Sequence, residues 1–166
     1  MLDRVREAVF SSLGERVVDA CVLDLFSGSG SLGLEALSRG AASARFVERG
    51  REALTALREN IATLKLEERA ELLSCDALSA RARTAPSERE SAWIDLVFLD
   101  PPYPMIEGEE RAQVLELIQT LRAESLAEDG VIILHAPKRA LNAEEFGTEI
   151  TAAERTYGST AIWYLS

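Results

Sequence analysis

The sequence contains little cysteine, a single histidine and no long apolar run. Its two cysteines, Cys21 and Cys75, are too few for a disulfide framework or a zinc site. No stretch approaches the ~18 apolar residues that a membrane-spanning helix requires. Met1 is followed by Leu-Asp-Arg rather than by the apolar core of a secretory signal. The sequence therefore predicts a cytoplasmic protein with no metal site and no membrane segment.

Length and composition are those of one ordinary globular domain. The chain has 166 residues, of which 47% are apolar and 28% are charged. These values exclude a disordered, collagen-like or low-complexity chain. We expect a single, monomeric domain over residues 1–166, long enough to bury a sizeable core without disulfides or metals.

The charge is strongly acidic and unevenly distributed. The net charge is −10, and residues 84–166 carry 6 basic against 15 acidic side chains, whereas residues 1–83 carry 12 against 13. A basic surface over the whole chain, which favours phosphate binding through counterion release, is therefore absent. Taken alone, the charge argues against nucleic acid as a partner.

Apolar periodicity predicts strands and helices in alternation. The predicted helices cover residues 3–13, 31–39, 50–64 and 109–126. The predicted strands cover residues 17–23, 44–48, 71–74, 94–99 and 131–134, and a terminal hairpin joins 148–155 to 159–165. Residues 78–92 are polar and predict a long surface loop. This pattern predicts an α/β fold with a mostly parallel seven-stranded sheet that ends in an antiparallel hairpin.

A glycine-rich segment lies between the first predicted strand and the helix that follows it. Gly28, Gly30 and Gly33 form a G-x-G-x-x-G pattern, which permits a tight turn and lets a ligand approach backbone amides at a helix N-terminus. Asp24 lies four residues before Gly28, where a carboxylate would repel a pyrophosphate. The same carboxylate favours a ligand with an ammonium and a sulfonium group, so the segment favours S-adenosylmethionine over a dinucleotide.

Two further acids follow predicted strands. Glu48 ends the second strand, 20 residues after Gly28, where a carboxylate can accept hydrogen bonds from both ribose hydroxyls of a nucleoside. Asp76 follows the third strand and is placed to accept the amino group of an adenine, or else to cap the turn at Ala77 and Leu78. Because both cofactor classes contain a ribose, Glu48 indicates a nucleoside without choosing between them.

The most informative motif is Asp100-Pro101-Pro102-Tyr103, directly after the strand at 94–99. Consecutive prolines fix φ and favour extended geometry at the preceding residues. The Asp100 carboxylate and the Pro101 carbonyl can then accept both hydrogens of a planar amino group, which directs the nitrogen lone pair toward an electrophile. Tyr103 offers a face on which the base carrying that amine can stack.

The remaining polar candidates have ordinary structural interpretations. His135, at the end of the fifth predicted strand, can act as a general base, but a lone histidine there is more often structural, and we adopt that interpretation. Arg4 and Arg6 lie on the polar side of the first helix, where they can contact RNA phosphates. Ion pairing with Asp3 or Glu7 is the favoured interpretation for each arginine.

The sequence resembles the RsmD-type methyltransferase family along nearly its whole length. The segments that carry the resemblance are residues 3–10, 24–37, 46–48, 60–64, 75–77, 100–103 and 155–158. The resemblance implies a Rossmann-like class I methyltransferase fold. It also implies methyl transfer from S-adenosylmethionine to the exocyclic N2 of a guanine in 16S rRNA, within the small ribosomal subunit.

The resemblance also implies roles for individual residues. Asp100 and Tyr103 would be at the chemistry. In the cofactor site Gly28 and Gly30 would lie under the methionine part, Glu48 would bind the ribose and Asp76 would bind the adenine. Family members usually carry a basic extension before the segment that begins at Asp3, and the expectation is that it is missing here.

Three other functions remain open from the residues. A methyltransferase for protein glutamine or a small-molecule amine fits the acidic surface, although Asp rather than Asn at position 100 argues against glutamine. A nicotinamide-dependent oxidoreductase fits the glycine pattern but not Asp24 or the motif at 100–103. A non-catalytic ribosome-assembly binder would not need an intact motif at 100–103.

Overall fold

A computed structural model describes Met1, residues 3–86 and residues 92–166. Its strands are β1 Cys21–Leu25, β2 Ser43–Glu48, β3 Ala70–Ser74, β4 Ile94–Leu99, β5 Leu126–Pro137, β6 Ala152–Tyr157 and β7 Thr160–Leu165. Its helices are α1 Asp3–Leu13, α2 Ser31–Ser38, α3 Arg51–Thr63, α4 Ala80–Arg83, α5 Tyr103–Glu107 and α6 Arg111–Glu124, with short 3-10 helices at Gly14–Val17 and Ala143–Phe146. Within these ranges, no helix is long and apolar enough to cross a membrane.

The seven strands form one sheet in the order β3-β2-β1-β4-β5-β7-β6. Strands β1 to β5 are parallel, and β7 is antiparallel to both β5 and β6. The strand order reverses between β1 and β4, and ligands of such sheets bind outside the carboxyl ends of the strands at that point. The predicted α/β fold with its C-terminal antiparallel hairpin is therefore confirmed.

Apolar clusters cover both faces of the sheet. On one face α1 and α2 pack against the strands, and the Phe10 ring lies 5.6 Å from the Phe98 ring. On the other face α6 and the 3-10 helix at Ala143–Phe146 cover the sheet, with the Phe146 ring 5.2 Å from the Trp163 ring. Because both faces are covered, β1 is buried along its whole length, which explains why it is apolar except at Asp24.

The predicted first residues of three strands are wrong. Val17 belongs to a 3-10 helix, and Asp19 adopts φ +60°, so β1 begins only at Cys21. Strand β5 runs from Leu126 rather than from residue 131, since its exposed Glu128 and Asp129 break the apolar pattern. Strand β6 begins at Ala152 rather than at residue 148.

Two short helices were not predicted. Helix α5 starts directly after Pro102, because a proline can precede or open a helix without losing a needed N–H donor. Helix α4 lies in the predicted loop at 78–92, where its single turn is too short to show a period. Residues 87–91 of that loop lie outside the described residues.

Candidate active site

A cavity of about 630 Å³ opens at the carboxyl ends of the parallel strands. Among the predicted site residues, it is lined by Glu48, Asp100, Pro101 and Tyr103. Asp76 lies between two lining residues, Cys75 and Ala77. Gly28 and Asp24 do not line the cavity themselves. The Gly28 N–H donates to Glu48, and Asp24 is buried two residues before Phe26, which lines the cavity. The sheet therefore brings the predicted residues to one edge.

The glycine loop after β1 leaves space in front of its backbone. Gly28 has φ +54° and Gly30 has φ +88°, both in the left-handed region that favours glycine. A Cβ added to Gly28 would meet nothing within 4 Å, whereas one added to Gly30 would lie 2.4 Å from Leu57 Cδ1. Ser27 Oγ in this loop is buried and has no hydrogen-bond partner among the described residues. An open backbone beside an unpartnered hydroxyl fits a bound ligand.

Asp24 is a buried acid, 1% exposed, at the start of this loop. Burial raises its pKa to about 7, a hydrogen bond from the Gly33 N–H lowers it in part, and the charges of Asp100 and Glu48 raise it further. The Gly33 nitrogen lies 2.9 Å from Asp24 Oδ2. A cationic ligand would compensate this poorly solvated carboxylate, as the sequence analysis proposed.

At Gly33 there is no room for a side chain between α2 and the sheet. A Cβ there would lie 2.4 Å from Phe46 Cε1 and 3.0 Å from Asp24 Oδ2. We expect Gly33→Ala to lower the free energy of unfolding by about 1–3 kcal/mol, the usual cost of overpacking a core. Denaturant unfolding measures this, with the exposed Ser38→Ala in the same helix as control. An unfolding free energy equal to that of the wild type would contradict the packing argument.

Glu48 is held by three backbone N–H groups. Its Oε2 accepts from Gly28 at 2.9 Å, and its Oε1 accepts from Arg49 at 2.9 Å and from Gly50 at 2.6 Å. These bonds fix the carboxylate between the glycine loop and the start of α3. Its binding to ribose hydroxyls stays a prediction.

Asp76 has the structural contacts of a turn acid. Its Oδ1 accepts from the Leu78 N–H at 2.9 Å, and its Oδ2 accepts from Arg49 Nη1 at 2.8 Å. The structure thus contains the turn-capping alternative, with an ion pair added. Adenine recognition by Asp76 remains a prediction.

The motif at 100–103 connects β4 to α5. The Asp100 N–H donates to the Leu25 carbonyl, 3.4 Å away, which ties the motif to β1. Tyr103 is 38% exposed, so its ring is accessible for stacking. Asp100 Oδ2 lies 3.7 Å from the amino group of Met1, which also lines the cavity. The motif therefore presents a carboxylate and an aromatic ring at the same opening.

His135 belongs to this site, although the sequence favoured a structural role. Its Nδ1 lies 2.6 Å from Asp100 Oδ1, and its Nε2 lies 3.2 Å from the Tyr103 hydroxyl. The β4–β5 register pairs Leu99 with Leu134, which places the two following residues side by side. The sequence showed that His135 ends a strand, but only the strand order shows that this strand is the neighbour of β4.

The two arginines, the cysteines and the expected absence of a metal site remain to be placed. Arg6 pairs with Asp3 at 3.2 Å, as expected, whereas the Arg4 guanidinium lies beside Gly158 in the β6–β7 turn. Cys21 is buried, and Cys75 is half-buried at the cavity wall. Within the described ranges, no group of three His, Cys, Asp or Glu side chains can hold a metal ion.

Comparison with known proteins places the chain in a family. The family model described as "Conserved hypothetical protein 95" matches residues 1–166. YlbH of Bacillus subtilis (strain 168) is 36% identical over 162 residues, which cover 96% of this chain and 83% of YlbH. "Ribosomal RNA small subunit methyltransferase D" of Escherichia coli (strain K12) is 42% identical over 114 residues, 69% of this chain. The match spans about half, 54%, of that E. coli protein.

Solved structures agree with this placement. The structure of yhhF from Escherichia coli has a TM-score of 0.80 at 33% identity and covers 99% of this chain and 85% of that one. An RNA methyltransferase from Salinibacter ruber has a TM-score of 0.67 at 13% identity, covers 99% of this chain and 90% of that one, and supports the fold alone. The chain therefore belongs to the RsmD-type family of rRNA methyltransferases.

Proposed function

We propose that this protein transfers a methyl group from S-adenosylmethionine to the exocyclic N2 of a guanine in 16S rRNA of the small ribosomal subunit. The observation that carries the proposal is the position of Asp100 and Tyr103 at the end of β4, on the cavity that Glu48 also lines. The names of the family relatives support an rRNA substrate. The cytoplasm, where ribosomal subunits are found, is the proposed location.

The residues around the glycine loop fit S-adenosylmethionine. Gly28 and Gly30 would lie under its methionine part, where the open space at Gly28 and the unpartnered Ser27 hydroxyl accommodate polar ligand atoms. Asp24 would face its cationic groups and Glu48 its ribose, with Asp76 at the adenine. When bound, the cofactor supplies a methyl carbon on a positively charged sulfur, which retains the electron pair of the broken bond.

Asp100, Pro101 and Tyr103 would act on the acceptor base. The Asp100 carboxylate and the Pro101 carbonyl accept the two amino hydrogens, so that the nitrogen lone pair is directed at the methyl carbon. Tyr103 stacks on a guanine that has left its own stack, as nucleobase methyltransferases require. Asp100 then accepts the proton that the methylated nitrogen loses.

Cations near the cavity support an RNA partner in spite of the net charge of −10. Lys138 and Arg139 are exposed directly after β5, at the same edge of the sheet as the motif. The Lys138 N–H donates to the carbonyl of Ser159, a residue that lines the cavity. Phosphates flanking a bound guanine would meet these cations before the acidic remainder of the surface.

Transfer of tritium from labelled S-adenosylmethionine tests the proposal directly. The acceptor is small ribosomal subunits from cells that lack this gene, with subunits from normal cells as the pre-methylated control. We expect label in N2-methylguanosine of 16S rRNA from the first preparation and little from the second. Label in ribosomal protein would favour the glutamine alternative, and no transfer to either preparation or to free 16S rRNA would reject the proposed acceptor.

A further inference from the structure

The single histidine of the chain lies between the two side chains that the motif at 100–103 contributes. His135 is 7% exposed, and both of its ring nitrogens contact polar atoms. Nδ1 lies 2.6 Å from Asp100 Oδ1, while Nε2 lies 3.2 Å from the Tyr103 hydroxyl and 3.5 Å from Thr160 Oγ1. The Tyr103 hydroxyl is also 3.0 Å from Thr160 Oγ1. Asp100, which follows β4, thus forms one hydrogen-bonded cluster with a side chain from each of α5, β5 and β7.

The chemistry of these groups determines the direction of the bonds. An ionised carboxylate can only accept hydrogen bonds, so the proton of a neutral imidazole must be on Nδ1, which donates to Asp100. Nε2 is then an acceptor, and the Tyr103 or Thr160 hydroxyl donates to it. In this arrangement His135 occupies Oδ1 of Asp100, so the acceptor amine would bind Oδ2, where it would replace the amino group of Met1, 3.7 Å away.

We infer that His135 is a positioning residue for methyl transfer, whose imidazole fixes the Asp100 carboxylate and the Tyr103 ring in the orientation that receives the acceptor amino group. The inference rests on the proposed function, because it assumes that Asp100 and Tyr103 bind the acceptor. The ring centroids of Tyr103 and His135 are 5.6 Å apart in an edge-on contact, so the imidazole restrains the ring as well as the hydroxyl. His135 itself does not contact the transferred methyl group in this account.

The first experiment reads the hydrogen bond without any enzymatic activity. Because the chain has one histidine, tag-free protein with ¹⁵N-labelled imidazole gives a single set of ring signals. We expect Nδ1 to carry the proton at pH 8, with slow exchange with water, and Nε2 to be unprotonated. Asp100→Ala should speed exchange of the Nδ1 proton, and Tyr103→Phe should shift Nε2. A proton on Nε2, or an Nδ1 signal indifferent to Asp100→Ala, would overturn the inference.

The second experiment separates positioning from packing by kinetics. His135→Leu removes the hydrogen bonds of both ring nitrogens, and we expect kcat to fall by about tenfold to a hundredfold, as for a reacting group misplaced by roughly 1 Å. His135→Asn offers an amide N–H near Nδ1 and should recover most of the wild-type kcat. The KM for S-adenosylmethionine should change little in both variants, because the glycine loop is untouched.

The outcomes distinguish the inference from the function on which it rests. A His135→Leu variant that is folded, as judged by its thermal midpoint, and has the wild-type kcat would overturn the positioning role. A loss shared equally by the Leu and Asn variants would also overturn it, since the restored donor would then have no effect. Failure of the wild type to methylate any acceptor would instead reject the proposed function, while the imidazole signals still decide whether His135 holds Asp100.

Discussion

Replacing Asp100 with alanine is expected to lower the turnover number for methyl transfer by roughly 10²-fold or more, as for loss of one positioned polar group. The carboxylate lies at the end of β4, is held at Oδ1 by His135 and lines the cavity. Alanine leaves the Pro101 carbonyl as the one remaining acceptor for two amino hydrogens. Single-turnover transfer of labelled methyl to small ribosomal subunits measures the effect.

A matched substitution at the other end of the same strand controls for general damage. Asp95 accepts a hydrogen bond from the Cys21 N–H at 2.7 Å and lies near the start of β4, away from the cavity. Asp95→Asn keeps an acceptor for that N–H, so the turnover number of this variant should equal that of the wild type. The same change at the site, Asp100→Asn, is the variant to compare with it. If Asp100→Ala transfers methyl groups within about threefold of the wild-type rate, Asp100 does not bind the acceptor amino group as proposed.

The fold could be predicted where buried strands leave a local signal. Ile94–Leu99 and Cys21–Leu25 are nearly unbroken apolar runs because helices cover both faces of the sheet. The first half of β5 could not be predicted, since Glu128 and Asp129 are exposed there while the backbone still belongs to the strand. In that half Leu126 pairs with Ile94, and the register shifts before Leu96 pairs with Val131, so side-chain periodicity does not reveal the strand.

Some residues of the candidate site could likewise be predicted from the sequence, and others could not. Glu48 and Asp100 could be placed together because each follows a parallel strand, and the carboxyl ends of such strands meet at one edge. The role of His135 depends on β4 and β5 being neighbours in a particular register, which cannot be read locally from Asp100 and His135, 35 positions apart. For Asp76 the sequence left two interpretations, and the structure contains the turn contact without testing the adenine one.

Asp24 should make both the stability of the ligand-free protein and its cofactor binding depend on pH. Burial, and to a smaller degree the charges of Asp100 and Glu48, raise the pKa of Asp24 from 3.8 to about 7, against the opposing effect of the Gly33 N–H. The folded protein therefore holds a proton between about pH 4 and pH 7 that the unfolded chain has released. Its contribution to the unfolding free energy declines as pH rises through this interval, by about 1.4 kcal/mol per pH unit.

Asp24→Asn isolates this contribution in the ligand-free protein. Asparagine keeps an oxygen for the Gly33 N–H but has no charge to bury. The unfolding free energy of the variant minus that of the wild type should therefore increase from pH 5 to pH 8, as measured by urea unfolding at both values. A stability difference that does not change with pH would mean that Asp24 ionises in its ordinary range.

Binding of S-adenosylhomocysteine, which retains the ammonium group, should reverse the protonation of Asp24. A cation beside the carboxylate favours its charged form, so binding at pH 6 should release up to about one proton, and binding at pH 8.5 should release none. The affinity should accordingly weaken by up to about tenfold per pH unit below pH 7. Calorimetry in buffers of different ionisation enthalpy measures the released proton, with NAD as a ligand that should not bind. Proton release that persists in Asp24→Asn would show that the proton comes from a group other than Asp24. If the urea measurements show that Asp24 is protonated at pH 6 in the free protein, absence of release in the wild type would place the cationic end of the cofactor away from Asp24.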